Sequence, residues 1–240
     1  HHVSLCGKIG GTKIAPLQVP DLPDGFMVQE DNVSLEYNIP PATSRDSFVL
    51  NIVTIRDKCK EILSFLNLDM AEEASVSFVK EELKDPRALV FGCEPDFSSW
   101  TKRANDRPSC EDKSLRTCGG HVHVGAPVDM VGGARAMDLY LGVPSVILDN
   151  SPASIQRRQL YGKAGAMRPK PYGFEYRVLS NFWMFKNELI GWVWDNTIAS
   201  LKFDHKKLTK ETGELIQTCI NNGDVALAKT LIAKFNIPMP

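Results

Sequence analysis

Two histidines, His121 and His123, flank a single valine in the glycine-bounded sequence GGHVHVG. Side chains alternate between the two faces of a strand, so both imidazoles are expected on one face and both valines on the other. The flanking glycines allow a ligand or another backbone to approach closely. Two imidazoles on one face can bind a metal ion or an anion, although a solvated sheet face is the open alternative.

Carboxylates on other predicted strands could complete such a site. Glu36 and Glu175 lie within apolar, alternating segments, and Glu94 lies at a strand end. A single glutamate on a strand is usually solvated, but several together with an imidazole form a mainly oxygen ligand set. Such a set favours Mg²⁺ or Mn²⁺ over zinc, and these ions commonly bridge phosphates. The sequence therefore predicts a metal site that draws on Glu36, Glu175 and the His121/His123 pair, with Glu94 as a fourth candidate.

A basic segment precedes the strand that carries Glu175. Its sequence is RRQLYGKAGAMRPKPYG, and it is punctuated by glycines. A local excess of positive charge beside metal carboxylates predicts a clamp for an anion or a triphosphate, whereas alone it could equally be a solvated loop. Glu175 and Arg177 share parity on their strand and should point the same way. The clamp candidates are Arg157, Arg158, Lys163, Arg168 and Lys170.

Composition excludes several classes of protein. The 240 residues contain 28 Lys and Arg against 29 Asp and Glu, so no general affinity for nucleic acid or anionic lipid is expected. No apolar stretch is long enough to span a membrane, and no secretory signal is visible. The six cysteines form no CxxC pair, which argues against a zinc knuckle or a disulfide framework. We expect a cytoplasmic protein with reduced thiols.

The motifs that usually bind nucleotides are missing from the sequence. It has no GxxxxGK[ST], no GxGxxG and no GxSxG segment. Any ATP would therefore be held between a sheet face and metal ions.

The elements that must position these residues follow from hydrophobic periodicity. Alternation predicts strands, and apolar residues at spacings of three and four predict helices. Because strands and helices do not alternate strictly, the predicted fold class is α+β with an antiparallel sheet. The predicted strands are a hairpin at 26–29 and 33–39, then 76–79, 117–124 and 172–182. The predicted helices are 44–66, 128–141, 152–161, 188–200, 207–221 and 224–235.

Several of these segments together resemble one family. They are GGTK at 10–13, QEDNVSLEYNIPPA at 29–42, GCEPDFSSWT at 92–101, GGHVHVG at 119–125 and RRQLYGKAGAMRPKPYGFEYRVLSNFW at 157–183. In this order they resemble the phage-type carboxylate-amine ligases, amidoligases related to glutamine synthetase and glutamate-cysteine ligase. The resemblance implies a curved antiparallel sheet with helices on one side. It also implies a single catalytic domain over 1–240, with 186–240 as its helical C-terminal part.

The resemblance implies an ATP-dependent ligation with Mg²⁺ or Mn²⁺, in which a carboxylate and an amine form an amide through an acyl phosphate. The substrates are expected to be small, such as amino acids or a peptide, and the location cytoplasmic, in the host if the protein is viral. Implied metal ligands are Glu36, Glu94, His121 and Glu175. Implied catalytic residues are Arg158, Lys163, Arg168 and Arg177, of which the last three would bind ATP with His121. Implied substrate contacts are His123 and Arg157.

One departure from the family pattern concerns the first strand. Members begin with an acidic DPE-like or ExE strand that supplies metal ligands, and no such segment precedes His1. Either this strand is absent and a metal site is incomplete, or it lies upstream of this sequence; the lack of an initiating Met favours the second alternative. Two other functions stay open: a metal-dependent hydrolase that uses the HxH and glutamate residues, and a non-catalytic phage binding module.

Overall fold

The computed structural model describes residues 1–89, 96–106, 110–125 and 129–240. In these residues the chain forms helices and antiparallel strands, so the predicted α+β class is confirmed. The strands are β1 (Leu17–Gln18), β2 (Met27–Asp31), β3 (Ser34–Asn38), β4 (Ser75–Ser77), β5 (Phe97–Ser98), β6 (Arg103–Ala104), β7 (Leu115–Thr117), β8 (Val122–Val124), β9 (Ala166–Lys170) and β10 (Gly173–Tyr176). The helices are α1 (Arg45–Phe65), α2 (Met130–Met137), α3 (Val143–Leu148), α4 (Pro152–Leu160), α5 (Asn187–Lys202), α6 (Lys210–Asn222) and α7 (Val225–Phe235).

The strands of the described residues form three sheets. The order is β1-β2-β3 in the first, β6-β5-β9-β10-β8 in the second and β4-β7 in the third, with antiparallel pairing throughout. The predicted hairpin is confirmed as β2 and β3. We call the five-stranded sheet the central sheet. Its strands β8, β9 and β10 carry the apolar and polar residues described next.

The two faces of the central sheet differ in chemistry. On one face, Phe174 and Tyr176 of β10 are fully buried. Between them, Glu175 pairs in register with His123 of β8 and Arg168 of β9, so these three polar residues share the opposite face. The period-two pattern therefore sorts apolar side chains into the core and charged side chains onto one surface. The apolar face also contains Val122, Val124 and Met167.

Helices cover the apolar face of the central sheet. Helix α2 packs against β10, where a Cβ atom at Gly133 would lie 3.2 Å from the Phe174 ring, so glycine permits this close approach. A single π-helical turn, Asp138–Gly142, connects α2 to α3. Helix α1 begins at a capping box between Ser44 and Ser47. Helices α5, α6 and α7 confirm the three predicted C-terminal helices. No helix in the described ranges is both long and apolar enough to span a bilayer.

Two predicted strands are shorter than expected. The segment 117–124 contains the ends of β7 and β8, which belong to different sheets, and His121 lies just before β8. The segment 172–182 is a strand only to Tyr176. Beyond it, the carbonyls of Val178 and Leu179 accept hydrogen bonds from the Arg157 guanidinium, and the Leu179 carbonyl also accepts from the Gly120 N–H before β8.

Arg157 is a buried cross-link between three segments. Its guanidinium donates to the carbonyls of Cys118, Val178 and Leu179 at 2.7, 3.0 and 2.9 Å. Gly162, at φ +72°, leaves the space for this group, because a Cβ atom there would lie 2.5 Å from Arg157 Nη1. The arginine therefore connects helix α4 to the segments that follow β7 and β10.

Replacing this cross-link should destabilise the protein. Arg157→Ala would remove a charged donor from three carbonyls of the interior, and we expect the free energy of unfolding to fall by about 3 kcal/mol. Urea denaturation followed by circular dichroism measures this change. Arg45→Ala removes an exposed ion pair with Asp195 and should change stability by less than about 1 kcal/mol. Equal losses in the two variants would contradict the structural role of Arg157.

Candidate active site on the polar face of the central sheet

A buried carboxylate, that of Glu175, is the centre of the polar face. Its side chain is 4% exposed, and its Oε1 atom lies 3.0 Å from His121 Nδ1 and accepts a hydrogen bond from Arg177. Its Oε2 atom lies 3.2 Å from Lys170 Nζ and 3.5 Å from Arg168 Nη1. Four partners therefore surround one carboxylate, and we call these five residues the Glu175 cluster.

Strand geometry brings the cluster together. Arg168 and Lys170 share parity on β9, and the β9-β10 pairing sets Arg168 directly opposite Glu175. Arg177 follows β10 with the parity of Glu175, as the sequence predicted. His121 precedes β8 and reaches the same carboxylate, so the prediction that this histidine and His123 share a face with Glu175 agrees with the geometry.

Burial and charge set the protonation states of the cluster. Burial alone would raise the pKa of the Glu175 carboxyl, but the hydrogen bond from His121 and the charge of Arg177 hold that pKa well below its usual value. Burial lowers the pKa of His121 to about 4, despite the opposing effect of Glu175. At neutral pH, a neutral His121 with its proton on Nδ1 therefore donates to an ionised Glu175.

Asp96 is a second carboxylate at the site, and the sequence did not single it out. Its Oδ2 atom lies 3.2 Å from Arg177 Nε, and Oδ1 accepts a 2.7 Å hydrogen bond from Asn105. Arg177 is thus held between Glu175 and Asp96. Asp96 follows the GCEP segment and is distant in sequence from β10, so no local pattern could have paired it with Arg177.

Two aromatic side chains lie at the edge of the polar face. His123 Nδ1 lies 2.5 Å from the Tyr172 hydroxyl, and the two rings stack with centroids 6.1 Å apart. His123 is exposed and Tyr172 is 51% exposed. They form a solvent-facing edge beside the cluster, where a bound molecule could contact them.

Glu36 approaches the cluster from the three-stranded sheet. Its Oε2 atom accepts a 2.8 Å hydrogen bond from the buried Gln29 side chain. Burial and the charge of Asp31 raise the pKa of Glu36, and the charge of Glu175 raises it further. The charge of one predicted metal ligand, Glu175, thus adds to the rise in the pKa of another, Glu36.

The described residues do not fit a metal centre. Across 1–89, 96–106, 110–125 and 129–240, no group of three or more His, Cys, Asp or Glu side chains could hold a metal ion. Both oxygens of Glu175 already face cations or His121, so a divalent cation there would meet guanidinium and ammonium groups. Glu94, the remaining predicted ligand, lies outside the described residues.

Two predicted ligand-binding arginines are not brought to the cluster. Arg157 donates to three backbone carbonyls inside the protein, and Arg158 Nη2 donates to the Ser145 carbonyl at 2.9 Å and lies 3.8 Å from Asp149. Both residues are at most 5% exposed. The expectations that Arg157 contacts substrate and that Arg158 contacts phosphate are therefore corrected. Helix α4 points both side chains inward, and the interior already provides their acceptors.

Lys163 lies next to the cluster but not in it. This exposed lysine lines a cavity of about 250 Å³, and Asp96 lines the same cavity. The predicted basic clamp is thus divided by the fold. Arg168, Lys170 and Arg177 surround Glu175, Lys163 faces the cavity, and Arg157 and Arg158 are structural.

The comparison with known families concerns the part of the chain that builds the cluster. Residues 113–217 match the family described as Phage phiEco32-like COOH.NH2 ligase-type 2. This stretch is similar to phage-type carboxylate-amine ligases, and for that similarity we call it the ligase stretch. The ligase stretch spans less than half of the chain and includes every residue of the Glu175 cluster. Searches of curated proteins and of solved structures returned no match.

The low pKa of His121 makes the stability of the protein depend on pH. The unfolded chain binds a proton on His121 near pH 6.5, and the folded protein only near pH 4. In this window the unfolded state holds more protons, so the free energy of unfolding should fall as pH drops from 6.5 to 4. We expect a loss of about 2 to 3 kcal/mol in urea denaturation.

A matched variant isolates this effect. His121→Asn keeps a hydrogen-bond donor near Glu175 but does not titrate, so its stability should fall less between pH 6.5 and 4. Since Glu175 itself titrates only at lower pH in the folded state, its contribution is common to both proteins. The same pH dependence in the wild type and in His121→Asn would contradict the assignment of a neutral His121.

Proposed function

We propose that the protein is an ATP-dependent carboxylate-amine ligase that forms an amide through an acyl phosphate. The Glu175 cluster carries the proposal, because it gathers three cations on one sheet face within the ligase stretch. Arg168, Lys170 and Arg177 face two carboxylates, Glu175 and Asp96, which leaves an excess of positive charge. Such an excess, on preorganised side chains, suits a phosphoryl group.

The proposed reaction has two steps. A carboxylate oxygen of the first substrate attacks the γ-phosphorus of ATP, the bond to the bridging oxygen breaks, and ADP leaves. The neutral amine of the second substrate then attacks the acyl carbon, and inorganic phosphate leaves with the electrons of the C–O bond. The amine loses a proton to give the amide. The protein has to orient both reactants and stabilise charge on the transferring phosphoryl oxygens.

The cluster residues have different roles in this proposal. Arg177 and Arg168 are the catalytic residues that contact the phosphoryl oxygens, and Lys170 adds a point charge. Glu175 and Asp96 are positioning residues, because Glu175 pairs with Nη1 of Arg177 and Asp96 pairs with Nε. His121 supports Glu175 by donating to it, and His123 with Tyr172 would contact substrate at the solvent edge.

In this proposal a divalent metal ion would bind together with the nucleotide. Members of such ligase families use Mg²⁺ or Mn²⁺, and a divalent cation supplies charge neutralisation to bound phosphates. The described residues offer no donor set that fits such an ion, so we assign no step to it. Burial raises the pKa of Glu36, and its carboxylate accepts a hydrogen bond from Gln29.

The wider fold is part of the same proposal. A glutamine-synthetase-like domain over 1–240 would have a curved antiparallel sheet with helices on one side and ligands on the other. The five-stranded sheet supports this proposal, because its apolar face packs under helices and its polar face carries the cluster. The helical part over 186–240 contributes to the core on that apolar face.

Glu175→Gln tests the centre of the site. The change leaves buried cations without their counter-charge and releases Arg177 from its fixed orientation, so ADP formation should fall about 100-fold. The assay incubates the protein with ATP, Mg²⁺ and a panel of amino acids, and mass spectrometry detects ADP and an amide product. Circular dichroism confirms that the variant is folded at the assay temperature.

The control for this variant is Glu214→Gln, which changes an exposed carboxylate on α6. It should keep the wild-type rate. If Glu175→Gln turned over ATP as fast as the control, Glu175 would have no part in positioning. Absence of ADP and amide with every substrate pair in the wild type would favour a binding module instead.

Arg177→Lys tests the phosphoryl contact separately from folding. Lysine keeps the positive charge but cannot bridge Glu175 and Asp96 with a planar fork. We expect kcat to fall about 100-fold while the KM for ATP changes much less, since the contact strengthens in the transition state. Arg103→Lys, an exposed substitution on β6, is the matched control. A rise in KM alone would assign Arg177 to ground-state binding of the nucleotide.

A further inference from the structure

A cavity adjoins the Glu175 cluster and has a different character. Its volume is about 250 Å³, and it lies between the end of α4, the loops around β5 and β6, and α6. A water molecule occupies about 30 Å³ of liquid, so the cavity has room for a small organic molecule. The lining side chains that carry charge or amide groups are Asp96, Asn105, Asp106, Lys163, Gln217 and Asn221.

Both signs of charge line this cavity. Lys163 comes from the loop between α4 and β9, and among the described residues none pairs with its ammonium. Asp106 follows β6 and is exposed, and Asp96 precedes β5. Asp96 is already paired with Arg177 and Asn105, so Asp106 and Lys163 are the charges of this lining that a ligand would meet. A carboxylate and an ammonium on separate segments suit a ligand that itself carries both an ammonium and a carboxylate group.

The cavity is physically joined to the site of phosphoryl transfer. Asp96 lines the cavity, and its Oδ2 atom is also the 3.2 Å partner of Arg177 Nε. A molecule that contacts Asp96 from the cavity is therefore one side chain away from the Glu175 cluster. Ligation requires the amine to bind next to the cluster, because the amine must reach the acyl carbon while the cations hold the phosphate.

We propose that this cavity binds the amine substrate and that the amine substrate is a free amino acid. Asp106 binds its α-ammonium group, and Lys163 binds its α-carboxylate. The inference rests on the proposed ligase function and adds the class of the nucleophile. It also gives Lys163 a role in amine selection, apart from the phosphate contacts of Arg168 and Arg177.

The test compares each amino acid with the amine that lacks its carboxylate. Isothermal titration calorimetry measures binding of the twenty common amino acids to the full chain, with and without adenylyl imidodiphosphate and Mg²⁺. For the amino acid that binds most tightly, we expect at least about tenfold weaker binding of the decarboxylated amine, because it cannot pair with Lys163.

Two variants and one control identify the cavity. Lys163→Ala should remove the preference for the amino acid over its decarboxylated amine. Asp106→Asn should weaken both ligands by a similar factor, about five- to tenfold, because both carry the ammonium group. Lys229→Ala changes an exposed lysine on α7 and should bind like the wild type. The nucleotide-dependent rise in melting temperature should stay unchanged in all three variants.

The outcomes separate this inference from the function on which it rests. If nucleotide raises the melting temperature but no amino acid binds, or if binding ignores Lys163 and Asp106, the cavity is not the amine site and the ligase proposal stands. If amino acids bind as expected but nucleotide has no effect, the cavity assignment is supported and the ATP-dependent ligase is contradicted.

Discussion

The burial of one carboxylate, Glu175, constrains much of the central sheet. An ionised carboxylate loses several kcal/mol of solvation when it leaves water, so it is tolerated only with well-placed partners. Here the partners come from β9, from the residues around β10 and from the segment before β8. A shift of either strand pairing by one residue would move Glu175 away from these groups and turn it toward the core. The strand register of the sheet therefore also determines whether the Glu175 carboxylate has its charged partners.

Strand β10 serves both faces of the sheet. Phe174 and Tyr176 bury large rings under the helices, while Glu175 and Arg177 form the site. Local alternation is enough to predict this division, and it predicts that Glu175 shares a face with Arg177 and that His121 shares one with His123. The α+β class and the main helices could also be predicted, because apolar periodicity is a local property.

The residues that the sequence misassigned depend on long-range packing. Arg157 and Arg158 stand in the same basic segment as Lys163 and Arg168, and nothing local distinguishes a phosphate ligand from a structural arginine. The difference arises because α4 directs two of them at carbonyls and at Asp149, which belong to distant segments. Asp96 was missed for a similar reason, since its partner Arg177 is far along the chain. Charge density in a sequence thus predicts an anion site only where the fold leaves the side chains facing outward.

The loop that carries Asp96 is fixed from behind the sheet by a buried polar network. Trp100 Nε1 donates to Asp138 at 2.6 Å, and the Tyr176 hydroxyl donates to the same carboxyl at 2.8 Å. Burial raises the pKa of Asp138 to about 7, even though both donors oppose this rise. Arg135 adds a hydrogen bond to the Ser99 carbonyl and lies 5.0 Å from the Trp100 ring. Tyr176 is the last residue of β10 and lies between Glu175 and Arg177 in the sequence, so the same network anchors the strand and the loop that together hold Arg177. The orientation of this arginine is therefore determined on both faces of the sheet, by Glu175 and Asp96 in front and by Asp138 behind.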